Sequence, residues 1–229
     1  MIAATRHDWL RRSAECRYSA DMLRPSLSSR LIILKLGGSL LTCPDLSDRI
    51  RRLIRDSESS RILIVVGGGT SADVVRDWSR RYALPEESAH WIALRSLSVT
   101  RALVKELLPE CAEAKSLAGA VACWLNKVAV VLLDLESHLR EAEFTDRAPL
   151  PHQWSVTSDS IAAWVAARWS ADELILLKST NLPADITLDQ ACRDGLVDSH
   201  FPDVAIEVPR ISWCNLLSDP PRIQLWRNP

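Results

Sequence analysis

Apolar residues along this chain fall into two textures: short unbroken runs, and stretches where they recur every three or four positions. The runs LIILKL (31–36), RILIVV (61–66), VAVVLL (128–133) and ELILLK (173–178) lack the alternation of a half-exposed strand and predict strands buried on both faces. Helical spacing lies between them. It covers DLSDRIRRLIRDS, where Leu46, Ile50, Leu53 and Ile54 recur, and ADVVRDWSRRY (72–82), with Thr70 or Ser71 as its cap. Residues 85–108 read as one long helix or two broken ones, and residues 114–126 and 159–170 as further helices. A loop containing Pro149 and Pro151 follows the third strand. The tail predicts a helix at 188–193, a strand at VAIEV (204–208), a helix at 211–217 and an edge strand at RIQLW (222–226). Residues 8–23 are weakly helical within a polar, arginine-rich stretch that ends near Pro25. Strand, turn and helix in succession predict a three-layer α/β/α sandwich with a mainly parallel central sheet. Residues 1–29 read as an N-terminal extension and residues 30–229 as a single domain.

The placement of glycine turns this outline toward chemistry. The chain has seven glycines, and five stand in two turns, Gly37-Gly38 and Gly67-Gly68-Gly69, each ending a buried strand and preceding a helix. Glycine serves where the backbone takes positive φ or approaches a ligand closely. Unpaired amides at a helix start, together with the helix dipole, favour an anion. Either turn alone reads as a tight connection; the pair suits a chain of phosphates. Neither GxGxxG nor GxxxxGK followed by Ser or Thr is present. Lys35 sits inside the first strand, two residues before Gly37, where its charge needs a partner such as phosphate oxygens; a lysine snorkelling from the strand's end is the alternative.

Composition bounds the function. A net charge of −1 offers no bulk attraction to nucleic acid or anionic membrane, and no apolar run reaches the length of a membrane span. Six scattered cysteines form no CxxC pair and no zinc-finger spacing, and read as reduced thiols of a cytoplasmic protein.

Three blocks in order, LKLGGSLL (34–41), VVGGGTSADVVRDW (65–78) and TSDSIAAWVAARWSADELILLKST (157–180), resemble the amino acid kinase family of aspartate, glutamate and uridylate kinases. SAHWIALRSLSVTRALV (88–104), LPHQWSVTSDSIA (150–162) and DGLVDSHFPDVA (194–205) are similar to its small aminomethylfuran-phosphate kinase-like branch. The resemblance implies transfer of the γ-phosphate of ATP, with Mg2+, to a small anionic acceptor, itself a phosphate monoester if the branch holds. It also implies a homo-oligomer. By match to the family, Lys35, Asp159 and Lys178 would be catalytic, with Asp159 holding the lysines and a magnesium ion carried by ATP in place. Gly37, Gly38, Ser39, Gly67, Gly68, Gly69 and Thr180 would bind phosphates or nucleotide. Asp73, Arg76, His90, His152, Trp154, Thr157 and Ser158 are the acceptor candidates. Asp73 and Arg76, three apart on a helix, read equally as a surface ion pair. The stretch KSTNLPAD (178–185) departs from the family's Val-Asp-Gly turn, which leaves a non-catalytic nucleotide- or anion-binding relative as the alternative function.

Overall fold

The computed structural model describes residues 29–55, 60–146 and 149–227; the weak helix expected over residues 8–23 lies outside them. The four apolar runs form β1 (Leu31–Leu36), β2 (Arg61–Val66), β4 (Val130–Leu133) and β5 (Glu173–Lys178), almost wholly buried. With β3 (Ala112–Ala114), β6 (Ile211–Asn215) and β7 (Ile223–Arg227) they make a seven-stranded sheet in the order β3-β4-β2-β1-β5-β6-β7. All pairings are parallel except β6 with the edge strand β7. Apolar side chains cover both faces, which makes the three-layer α/β/α sandwich.

The helices are α1 (Leu46–Arg55), α2 (Gly69–Tyr82), α3 (Glu86–Leu107), α4 (Leu117–Leu125), α5 (Leu135–Thr145), α6 (Ser158–Arg168), α7 (Leu188–Arg193) and α8 (Phe201–Ala205). On β1 the two-residue period sends Ile32, Leu34 and Leu36 to the face covered by α1, and Ile33 to the face covered by α6. Lys35 shares the parity of Ile33 and therefore points to α6. That helix is buried from Asp159 through Arg168, as expected of a helix without a polar face.

Several expectations need correction. Residues 211–217 are not a helix: Ile211–Asn215 is β6, hydrogen-bonded to β5 and covered on both faces, so it shows no alternation to set against a helical period. Residues 204–208 are not a strand; Val204 and Ala205 end α8, which Pro202 opens. The loop expected after β4 begins with α5, which Asp134 caps by accepting the Ser137 amide at 3.2 Å. The helix expected over 114–126 starts at Leu117, because Ala114 belongs to β3 and Ser116 caps α4 through the Gly119 amide. Neither Thr70 nor Ser71 caps α2; Gly68 occupies that position, and the Ser71 hydroxyl donates back to the Gly68 carbonyl. Residues 86–107 form one unbroken helix.

Candidate active site

β1 lies between β2 and β5; the chain leaves β1 toward β2 and leaves β5 toward β6 on the opposite side, so a crevice opens at the carboxyl ends of β1 and β5, the switch point of the sheet. Both glycine turns meet there. A Cβ at Gly38 would stand 2.2 Å from the Gly69 nitrogen, and one at Gly67 would stand 3.0 Å from the Gly38 nitrogen. Gly69 has φ +51, in the left-handed region, and its missing side chain faces the Gly38 carbonyl. The turns are one backbone cradle, and side chains would push them apart. The amides of Gly37 and Gly67 donate to the carbonyls of Leu177 and Leu36, so these two glycines close the turns and offer no amide to a ligand. Gly38, Ser39, Gly68 and Gly69 line the cavity beside them.

Behind the cradle sits a buried charge cluster. The Lys35 ammonium is 2.8 Å from Asp159 Oδ1, and the Lys178 ammonium donates to Oδ2 at 2.9 Å. Lys178 also donates to the Leu196 carbonyl at 2.7 Å and lies 5.5 Å from the Trp213 ring. Burial opposes the Asp159 charge, yet the two ammonium groups hold its carboxyl below the ordinary carboxylate range. Burial, and then the Lys35 charge, push Lys178 down to about 8 against the pull of Asp159. One carboxylate between two lysines leaves a net positive centre, the electrostatic complement of phosphate oxygens. Both Asp159 oxygens face ammonium groups, and among the described residues no group of three or more His, Cys, Asp or Glu gathers to hold a metal.

The acceptor candidates line a cavity of about 240 Å³ bounded by Asp73, Arg76, His90, Trp154, Thr157 and Ser158, together with Gln153 and a floor that includes Leu94, Leu97 and Ile161. Arg76 pairs with Asp73 and lies 5.2 Å over the Trp154 ring. Burial and then His152 push His90 down to about 4, so it is neutral at pH 7. His152 is the exception. It stacks on His90 at 4.8 Å from outside the cavity, and its Nε2 is 2.6 Å from Glu143. Its place is behind the wall because residues 151–153 turn its ring toward α5. Thr180 lies away from this cavity, beyond Lys178, where its carbonyl accepts the Trp213 indole N–H. On that side a second cavity of about 570 Å³ is lined by Asn181, Leu182, Trp213, Asn215 and residues 218–220 and 222–224.

A family model, the amino acid kinase family, matches residues 30–181. The chain belongs to the amino acid kinase family. Among solved structures of this fold, UMP kinase from Ureaplasma parvum is 13% identical with a TM-score of 0.57, over 84% of this chain and 92% of its own. Uridylate kinase from Archaeoglobus fulgidus is 18% identical with a TM-score of 0.54, over 79% and 88%. Aspartate kinase from Synechocystis is 16% identical with a TM-score of 0.58, over 87% of this chain and 40% of its own. No curated protein matches the sequence. Sequence reasoning missed Asp198, Leu196 and Gln153, whose parts in the site depend on chain segments brought together only by the fold.

Proposed function

We propose that this amino acid kinase family member is an ATP-dependent small-molecule kinase acting on a small anionic acceptor, a phosphate monoester such as aminomethylfuran phosphate in one-carbon cofactor biosynthesis. The observation that carries the reading is the buried Lys35–Asp159–Lys178 cluster behind two touching glycine turns. Phosphoryl transfer asks the protein for position and charge rather than covalent chemistry, and this arrangement offers both. Lys35 and Lys178 place positive charge at the crevice, Asp159 orients them, and the Gly38 and Gly68-Gly69 backbone admits phosphate oxygens closely. The nucleotide takes the side of Lys178, Thr180 and the second cavity; the acceptor takes the cavity of Arg76 and Trp154. Arg76 suits a phosphate through its planar fork, Asp73 suits an acceptor ammonium, and Trp154 suits a flat ring. The donor set fits a magnesium ion held by the nucleotide's phosphates rather than by side chains. When bound, magnesium offsets charge on the β- and γ-oxygens. A phosphate acceptor is already ionised at pH 7, so no side chain need act as base.

The same reading takes residues 30–229 as the kinase domain of a cytoplasmic homo-oligomer, with residues 1–29 as an extension. It is supported by the family match starting at residue 30 and by Val99 and Leu103, exposed one turn apart on α3. No described helix is long and apolar enough to cross a membrane.

The test is ADP release with Mg-ATP against a panel of phosphate monoesters and carboxylates, UMP and aminomethylfuran phosphate included. Acceptor-dependent release is expected, and Lys35→Ala should lower kcat by about 10²-fold or more. Normal turnover in that variant would sink the assignment. A second reading, nucleotide binding without transfer, is favoured by the turn after β5, where Pro183 lacks an amide, Leu182 is buried and Asp185 takes φ +56. ATP binding by calorimetry without acceleration by any acceptor would select it.

A further inference from the structure

Thr157 stands at the N-cap of α6 without capping it; its hydroxyl donates instead to Asp198, 41 residues downstream, at 2.6 Å. The same carboxylate accepts the Thr157 amide at 3.0 Å, the Ser160 amide at 3.0 Å, the Ser160 hydroxyl and the His200 amide at 3.3 Å. Asp198, in the connection between α7 and α8, thus caps α6 from a distant part of the chain. It gives orphan amides a charged acceptor and places an anion at the positive end of the helix dipole.

The residue between those anchors matters most. Asp159 lies between Thr157 and Ser160, both of which Asp198 holds, so the position of its carboxylate is set by this cap. The same connection receives Lys178, whose ammonium donates to Leu196 O two residues before Asp198. Lys178 is therefore faced by Lys35 from β1, Asp159 from α6, the Trp213 ring from β6, and the segment carrying Leu196 and Asp198. Asp198 does not line the acceptor cavity, and its oxygens are engaged by α6 and His200.

We infer that Asp198 is a positioning residue for phosphoryl transfer, fixing α6 so that Asp159 holds the Lys35 and Lys178 ammonium groups in the crevice. The inference rests on the kinase reading, but its geometric content can be measured without turnover. Ser158 extends the same dependence to the cradle, since its hydroxyl lies 3.1 Å from where a Gly67 side chain would begin. A shift of α6 would reach the lysines and the glycine turn together.

The experiment uses the full chain with Asp198→Asn, which removes the charge and presents a donor to donors, and Ser160→Ala, which removes one bond and keeps the charge. Turnover and ATP binding are measured beside lysine side-chain NMR; the chain has five lysines, so Lys35 and Lys178 are read against Lys105, Lys115 and Lys127. Asp198→Asn is expected to lower kcat by about 10²-fold, the scale of a small misplacement of reacting groups, with ATP Kd within about 3-fold. The Lys35 and Lys178 signals should move while the other three stay. A folded Asp198→Asn protein with a lower Tm but unchanged kcat and lysine signals would make Asp198 structural only and overturn the proposal. If that variant does not fold, Ser160→Ala decides: displaced Lys35 and Lys178 signals support the proposal, and unmoved ones overturn it. Should the native chain phosphorylate nothing, the kinase reading fails by itself, and the lysine signals still decide whether Asp198 positions the cluster.

Discussion

Asp159 is buried with an ammonium on each oxygen, and this makes it the side chain whose loss should be felt most widely. Removing one member of a buried ionic cluster leaves the remaining charges without solvent or partner. Asp159→Ala would leave two ammonium groups facing each other and should destabilise the fold by about 3–5 kcal/mol, read as a fall in Tm or in the denaturation midpoint. The Lys178 value of about 8, lowered from 10.5, makes a second prediction. If its charge is needed, kcat/KM should fall as pH rises through about 8, and Lys178→Arg should move that limb to higher pH. Stability runs the other way. Between about 8 and 10.5 the unfolded lysine binds more protons than the native one, so this group's own contribution rises with pH over that window. Asp159 has the same sign in a lower window: its depressed pKa means the unfolded carboxyl binds more protons, so its contribution is full above the ordinary carboxylate range and is lost as acid protonates it. Lys35 was legible in the sequence because a lysine inside a doubly buried strand demands an explanation. Asp198 was not, because its partners lie 38 and 41 residues away and no local spacing records them.

Elements were legible where their own residues fixed them. Strands β1, β2, β4 and β5 announced themselves as apolar runs ended by glycine or a charged residue, and α6 as an apolar helix opening on Asp159. The tail was not. β6 is hydrogen-bonded in its interior position only because β5 lies on one side and β7 on the other, and a five-residue run cannot carry that information alone. The glycine turns stand between these cases, since their presence was legible and their mutual contact was not. That contact predicts a contrast. Gly38→Ala places a methyl 2.2 Å from the Gly69 backbone and must separate the two turns, so turnover should fall by about 10²-fold with a stability loss of roughly 1–3 kcal/mol. Gly195→Ala, at φ +70 in open space, should cost roughly 1–2 kcal/mol of backbone strain and leave kcat near the native value if that strain stays local. Equal losses of turnover in the two variants would argue against a cradle built by contact.

For the whole molecule, the strand order matters more than any single turn. Because β1 is flanked by β2 and β5, the α2–α3 side contributes one cavity and the β5–β6 side another, with the lysine cluster between them. A transferase that brings two ligands together across such a divide should respond to side-specific changes independently. Arg76→Ala, at the rim of the first cavity, should raise acceptor KM about 10-fold, equivalent to about 1.4 kcal/mol, and leave ATP Kd within about 2-fold. Asn181→Ala, which removes a hydrogen bond to Asn215 in the second cavity, should weaken ATP by about 5-fold and leave acceptor KM unchanged. The double variant should show the sum of the two effects, since neither residue shares a partner with the other. Steady-state kinetics with each substrate varied in turn, beside calorimetry for ATP, measures all three. An Arg76→Ala protein that loses ATP affinity instead would reverse the assignment of the cavities, because the guanidinium would then belong to the nucleotide side of the lysine cluster.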